Sequence, residues 1–339
     1  MKAEIGTFPK ERQILHEIVP LDTPLVIDIH MHHYCNYKCN YCAMSLGQKQ
    51  LNKTSYKAGS MDMELFALVV QQLKEFPRKI KMITMEGVGE ATIHPHIVDM
   101  VKLLHDSGVT DKIQIITNGS MLNPQFNKAL VNAGLGELRI SLQGLTERKY
   151  LQIASASINW NEYYENIYHF SKVKNNCVLK VKIIDTALED GDEEKFYALF
   201  GNICDAVAIE HIYNPWTQNG VDIDIKTLVT QKTRYDREPV DLKVCRRVFT
   251  SVDIMPDGML TQCCHDRFGF EKNIKEATIA AQWSSTEFDN ARIDMLNGKK
   301  DQWEFCKNCI FNNATWHPED VLDGHEEDIL GRMKKRQSC

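Results

Sequence analysis

No stretch of this 339-residue chain approaches the roughly 20 consecutive apolar residues that a membrane-spanning helix needs. Membrane passage is therefore not expected. The chain also lacks an excess of charge of either sign. Its 40 Lys and Arg against 46 Asp and Glu leave a net charge of −6, which argues against a broad surface for nucleic acid or for anionic lipid. The first residues, Met1-Lys-Ala-Glu-Ile-Gly, carry no apolar core and no cleavage site, so no secretory signal is expected. Internal repeats and low-complexity segments are missing too. What remains is an ordinary globular balance, 43% hydrophobic and 25% charged, at a length suited to one large domain or a barrel with a small appendage.

Against those absences stand eleven cysteines, an odd number. In a chain with no sign of secretion, clustered thiols are better read as metal ligands than as disulfide partners. That points to a reducing, cytoplasmic location. The densest cluster is Cys35-Asn-Tyr-Lys-Cys39-Asn-Tyr-Cys42, directly after the apolar run Leu25-Val-Ile-Asp-Ile. Three thiolates leave one coordination position free, and a four-iron cluster held this way keeps one iron open for another ligand. Half of a zinc site and a ferredoxin-type loop are the alternatives. A zinc site more often offers paired ligands, and a ferredoxin brings a fourth cysteine.

The spacing C-x3-C-x2-C, with Tyr41 directly before the last cysteine, resembles the signature of the radical S-adenosylmethionine (SAM) superfamily. The resemblance implies a [4Fe–4S] cluster on Cys35, Cys39 and Cys42, with SAM on the open iron. It also implies that Tyr41 packs near the adenine.

The rest of the chain alternates. Strands are predicted over residues 25–31, 79–85, 112–117, 137–142, 178–184 and 206–210. Helices are predicted over 61–76, with Ser60 as its cap, and over 95–107, 124–132, 160–174 and 192–200. Repeated strand–helix units at this spacing imply a parallel α/β sheet. Six of them give a partial (β/α)6 TIM-like barrel rather than a closed barrel of eight strands. Residues 1–24 read as a leader, 25–213 as the barrel, 214–243 as a linker, 244–315 as a small C-terminal unit, and 316–339 as a tail. The basic run Arg332-Met-Lys-Lys-Arg336 in that tail reads as a frayed, solvated end.

In parallel β/α folds ligands bind at the C-terminal ends of strands, and the polar motifs fall there. Gly87-Val-Gly-Glu90 follows the second strand. Its glycines let the backbone approach a ligand closely, and its carbonyls and carboxylate suit an ammonium group. It resembles the Gly-Gly-Glu-Pro element of the superfamily, which implies that Gly87, Gly89 and Glu90 hold the methionine amino group of SAM. Val88 and Ala91 depart from that element. Ser141 and Gln143 match the position where relatives contact the SAM ribose. Asn118, in Thr117-Asn-Gly119, is expected near the methionine carboxylate or the substrate. Glu210, His211, Tyr213 and Trp216 are substrate-side candidates. His30, His32 and His33 flank the cysteine loop and are read as structural.

A second set lies further on. Cys245 and Cys263 bracket a predicted β-hairpin, residues 249–254 and 259–262, turning at Pro256-Asp-Gly258. Cys306-Lys-Asn-Cys309 follows a helix predicted over 286–297. Four thiolates suit a closed site, zinc or a fully ligated four-iron cluster. The pattern resembles the auxiliary-cluster twitch, or truncated SPASM, domain of radical SAM enzymes. That resemblance implies one auxiliary [4Fe–4S] cluster on Cys245, Cys263, Cys306 and Cys309. Cys264 is a further candidate: an alternative ligand, an inert thiol, or a catalytic thiol facing the substrate. Cys177 and Cys204 start their strands, at the far end of the barrel from any catalytic site.

These resemblances imply an enzyme that reductively cleaves SAM to a 5′-deoxyadenosyl radical, which takes hydrogen from the substrate. Dehydrogenation or epimerisation of a small polar molecule, such as a sugar or an aminocyclitol, is the favoured outcome. The aminocyclitol dehydrogenase-type members of the superfamily are the nearest pattern. Modification of a ribosomally made peptide is the second reading, and a non-catalytic electron-transfer protein the third. A small-molecule substrate and a donor such as flavodoxin or ferredoxin are the expected partners.

Overall fold

The computed structural model describes residues 2–6, 12–52, 56, 59–213, 232–263, 269–307 and 309–337. Cys264, Trp216 and Cys339 lie outside the described residues.

The six expected strands are present and parallel. They run Val26–His30 (β2), Met82–Glu86 (β3), Ile113–Thr117 (β4), Glu137–Leu142 (β5), Val178–Ile184 (β6) and Ala206–Glu210 (β7). The sheet also extends past both ends of this set. A short strand from the expected leader, Glu4–Ile5 (β1), pairs in parallel with β7. At the other side Ser251–Ile254 (β8) pairs in parallel with β2, Val26 opposite Ser251 and Ile29 opposite Ile254. Leu260–Thr261 (β9) closes the hairpin in antiparallel register. The order is β1-β7-β6-β5-β4-β3-β2-β8-β9, so the sheet curls without closing, an unclosed partial barrel.

Each strand carries two kinds of face, as the period of two requires. Ile27, Ile29, Ile83, Met85, Ile115, Leu138, Ile140, Leu179, Val181, Ile183 and Val207 are buried on one side. They pack in one core with Phe66, Met100, Leu130, Ile167 and Phe196 from the surrounding helices. Each such side chain contributes about 1.5–3 kcal/mol by leaving water. The alternate positions face the lumen, and many that line it are polar: Asp28, Thr84 and Glu86, Gln114, Arg139 and Ser141, Lys182, and Glu210, beside the apolar Val26, Met82, Ile116 and Ile184.

The helices start where side chains can cap them. Asn123 accepts from the Gln125 and Phe126 amides at 3.0 and 2.9 Å, ahead of Pro124. The first long helix, Met63–Leu73, is capped by Asp62, whose carboxylate accepts from Leu65 N at 2.7 Å. Ser60 instead forms an antiparallel bridge with His32. A helix over Glu147–Ala154, capped by Thr146, was not expected from the sequence.

The C-terminal residues are not a frayed end. Glu326–Gln337 is a helix, with Ile329 and Met333 buried. Arg332 donates to the carbonyls of Val19, at 2.8 Å, and of His16. Arg336 donates to Leu21 O at 2.8 Å. The basic side chains cap the carbonyls of the N-terminal segment, which is why they hold a defined place. Trp283 also donates to Leu21 O, at 3.1 Å.

Candidate active site

The first cysteine loop leaves β2 and is pinned from two sides. Lys38 N and Asn40 N donate to Ala154 O and Ile153 O at 2.9 and 2.8 Å, so the unexpected helix is what anchors the loop. On the other side Glu90 N donates to Tyr34 O at 2.7 Å, and His32 Nε2 meets Glu90 O at 2.6 Å. Gly89 explains itself here. A Cβ on it would lie 2.3 Å from His32 O and 2.8 Å from Tyr34 O, so only glycine lets the two loops touch. Gly87, at φ +137°, likewise sits over the His30 ring, 2.6 Å from where its Cβ would be.

Glu90 is buried and turns inward. Its carboxylate accepts from Thr92 N at 3.0 Å, Thr92 Oγ1 at 2.5 Å, Thr117 Oγ1 at 2.6 Å and Asn118 N at 2.6 Å. Asn118 is thereby placed beside the first cysteine. Its amide donates to Asn36 Oδ1 at 2.9 Å and reaches Cys35 Sγ at 3.9 Å. Tyr37 N donates to the same sulfur at 3.3 Å. Tyr41 OH donates to Gln143 Oε1 at 2.6 Å, which ties the loop to the end of β5.

Burial pushes all three thiols up, Cys35 to about 12, with Cys39 and Cys42 shifted the same way. Cys39 is pushed further by its two neighbours. Three partly buried thiols that perturb one another, with hydrogen-bond donors aimed at one sulfur, suit a positively charged iron centre, which would turn them into thiolates.

A cavity of about 1000 Å³ fills the lumen. Tyr41, Cys42, Gly87 and Ser141 line it together, while Gly89, Glu90, Asn118 and Gln143 are not among its lining residues. Its sides carry charge. Glu210 takes Lys182 at 2.8 Å and Arg234 at 2.7 Å. Burial raises Glu210, but those two cations overcome it and hold it at about 2. Arg247 donates to Asp28 at 2.8 Å and to Asp253 at 2.6 Å, and Asp253 also meets His30 Nε2 at 3.1 Å. His211 pairs with Asp185 at 2.7 Å. Asp28, Glu86, Arg139, Lys182, Arg234, Arg247 and Asp253 were not singled out from the sequence. Five of them lie on strands, where polar residues alternate with apolar ones, and that alternation was the available signal.

A separate cavity of about 340 Å³ is lined by Cys245, Cys263, Cys306 and Cys309. Burial again pushes Cys245 and Cys309 up, Cys309 to about 12, helped by Cys245 and Cys263. Cys306 is raised by burial and by the other three. Four mutually perturbing thiols fit a closed iron–sulfur site. Arg247 and Phe311 line both cavities, so they form part of the wall between them.

Comparison with known proteins finds one family model over each of the two cysteine regions. Residues 29–196 match the model of the radical SAM superfamily, and residues 245–310 match that of the SPASM iron–sulfur cluster-binding domain. A tungsten-containing aldehyde ferredoxin oxidoreductase cofactor-modifying protein of Pyrococcus furiosus is 31% identical over 111 residues, 33% of this chain and 28% of that protein. The chain spans less than two thirds of the length of the first curated relatives it matches. Among solved structures, BtrN in complex with AdoMet and 2-DOIA superposes with a TM-score of 0.56 at 18% identity, covering 88% of this chain and 97% of that one. SuiB of Streptococcus suis bound to the precursor peptide SuiA gives 0.61 at 15% identity, covering 82% and 68%.

Proposed function

We propose that this chain, which belongs to the radical SAM superfamily and carries an iron–sulfur cluster-binding SPASM domain, oxidises a small polar substrate held in its lumen. The family implies SAM and [4Fe–4S] clusters as cofactors. Cys35, Cys39 and Cys42 would hold the SAM-binding cluster, and Cys245, Cys263, Cys306 and Cys309 the auxiliary one. The first site, when loaded, supplies a 5′-deoxyadenosyl radical from SAM, which takes a hydrogen atom from a substrate carbon.

The residues of this chain do the rest. Tyr41, Cys42, Gly87 and Ser141 line the same lumen, which supports a SAM site beside Cys42. Glu90, through Thr117 and Asn118, fixes the end of β4. Glu86, Arg139, Lys182 and Glu210 offer hydrogen bonds and charge to a polar substrate and suit an apolar one poorly. One observation carries the oxidative reading. The second cysteine cavity adjoins the lumen across Arg247 and Phe311, which gives an electron a short way out of the substrate.

The test is anaerobic reconstitution with iron, sulfide, dithionite and SAM, alone and with a panel of polyols, amino sugars and aminocyclitols. We expect 5′-deoxyadenosine, and a product lighter by two hydrogen atoms. A product of unchanged mass and inverted configuration would favour epimerisation instead. Absence of 5′-deoxyadenosine with both clusters intact overturns the enzyme reading.

A further inference from the structure

Glu86 is the last residue of β3, and it shares the lumen face with Met82 and Thr84. Register places it opposite His30 on β2, with Asp28 two positions below. The other acids that line the cavity are committed to cations: Asp28 to Arg247, Glu210 to Lys182 and Arg234, Asp320 to Arg12 and Arg246. Among the described residues Glu86 alone of these acids makes no hydrogen bond and no ion pair. It adjoins Gly87 and lines the same cavity as Tyr41 and Cys42.

Its surroundings set its proton. Burial, then the charge of Asp28, push Glu86 up to about 7. His30 and Arg247 act the other way, and Asp253 adds to the rise. From β4 the lumen-lining neighbours Gln114 and Ile116 carry no charge, while Lys81 and Lys112, just ahead of β3 and β4, and Arg139 and Lys182 also line the cavity. A carboxyl poised near neutral pH, unengaged and open to a lumen ligand, has the properties of a general base. Arg247, which holds Asp28 and Asp253, also lines the second cysteine cavity. The lumen carboxylates and the auxiliary site are therefore electrostatic neighbours.

We propose that Glu86 is a catalytic proton acceptor, paired with electron loss to the auxiliary site on the far side of Arg247. This rests on the oxidative reading above. After hydrogen abstraction the substrate carbon keeps one unpaired electron beside a hydroxyl group. The O–H bond then breaks and its proton goes to the Glu86 carboxylate. One electron leaves to the auxiliary iron–sulfur cluster, and a C=O double bond forms.

The pairing has a signature that needs no substrate. Negative charge added to the auxiliary site raises the affinity of Glu86 for a proton. Reduction therefore takes up a proton in the pH window that opens at the raised pKa of Glu86, about 7, and extends upward. Below that window Glu86 is protonated in both states. Inside it, reduction becomes up to tenfold less favourable per pH unit, about 59 mV for one electron. The experiment is a redox titration of the auxiliary cluster by electron paramagnetic resonance, from about pH 6 to pH 9. It is run in the reconstituted holoenzyme and in Cys35→Ala/Cys39→Ala/Cys42→Ala protein, where only the auxiliary signal remains. We expect the potential to fall with pH in the native chain and to be flat in Glu86→Gln, with Glu86→Asp keeping a slope. A flat native profile, or an unchanged slope in Glu86→Gln, overturns the proposal. If 5′-deoxyadenosine still forms in that case, the oxidative enzyme stands without this role for Glu86. If the native chain forms none, it is the reading of the function that fails.

Discussion

Four donors converge on the buried carboxylate of Glu90, and two of them belong to the strand end that carries Asn118. Charge-assisted hydrogen bonds contribute about 1.5–3 kcal/mol each, and an amide in that place would turn a donor toward donors. Glu90→Gln should therefore cost about 2–4 kcal/mol in denaturant unfolding and lower the iron retained by the first cysteine loop. Glu210 gives a pH-dependent case. Its folded pKa, about 2, lies below its ordinary 4.5. The unfolded chain binds the extra proton between those values, so the contribution of Glu210 is present above about 4.5 and is lost as pH falls toward 2. The Tm of Glu210→Gln should lie below that of the native protein at about pH 6, and the gap should close as pH drops below about 4.5. The cysteines themselves were legible from spacing alone, because three ligands within one loop are a local pattern. Asp28, Glu86 and Lys182 were visible as polar positions in apolar strands. What could not be read was that their shared face is the lumen, since that depends on which side of each strand the helices cover.

At the level of elements, the boundaries followed local chemistry where a cap was unambiguous. Asn123-Pro124 opens its helix as its sequence implies, and Gly108, at φ +65°, ends another. The sequence pointed to Ser60 as the cap of the first long helix, and the cap is Asp62, two residues on. The bridge between Ser60 and His32 decides for Asp62, a choice made by tertiary pairing. Asp62→Ala should destabilise the protein by about 1 kcal/mol, while Ser60→Ala should cost clearly less, measured by the shift in urea midpoint. The C-terminal helix makes the same point. Its basic residues match a solvated end in composition, yet Arg332 and Arg336 meet carbonyls of the N-terminal segment, more than three hundred positions away.

At the scale of the whole molecule, the two cysteine sets meet because one sheet runs through both regions. β8 leaves the neighbourhood of Cys245 and pairs with β2, which leads into Cys35. If each set holds a four-iron cluster, the reconstituted chain should carry about eight irons. Replacing Cys35, Cys39 and Cys42 by alanine should remove about half of them and abolish 5′-deoxyadenosine formation. Replacing Cys245, Cys263, Cys306 and Cys309 should remove the other half and block product formation. Iron and sulfide assays on the two variants check both outcomes. The sequence by itself determined the parallel sheet, the open barrel and both thiol sets, because hydrophobic period, glycine position and ligand spacing are local properties. Only the tertiary structure decided that the sheet continues into β8, that Arg247 lines both cavities, and that the Glu86 side chain lines the lumen without a hydrogen-bond or ion-pair partner among the described residues. Those facts depend on contacts between residues far apart in the chain, and no local pattern encodes them.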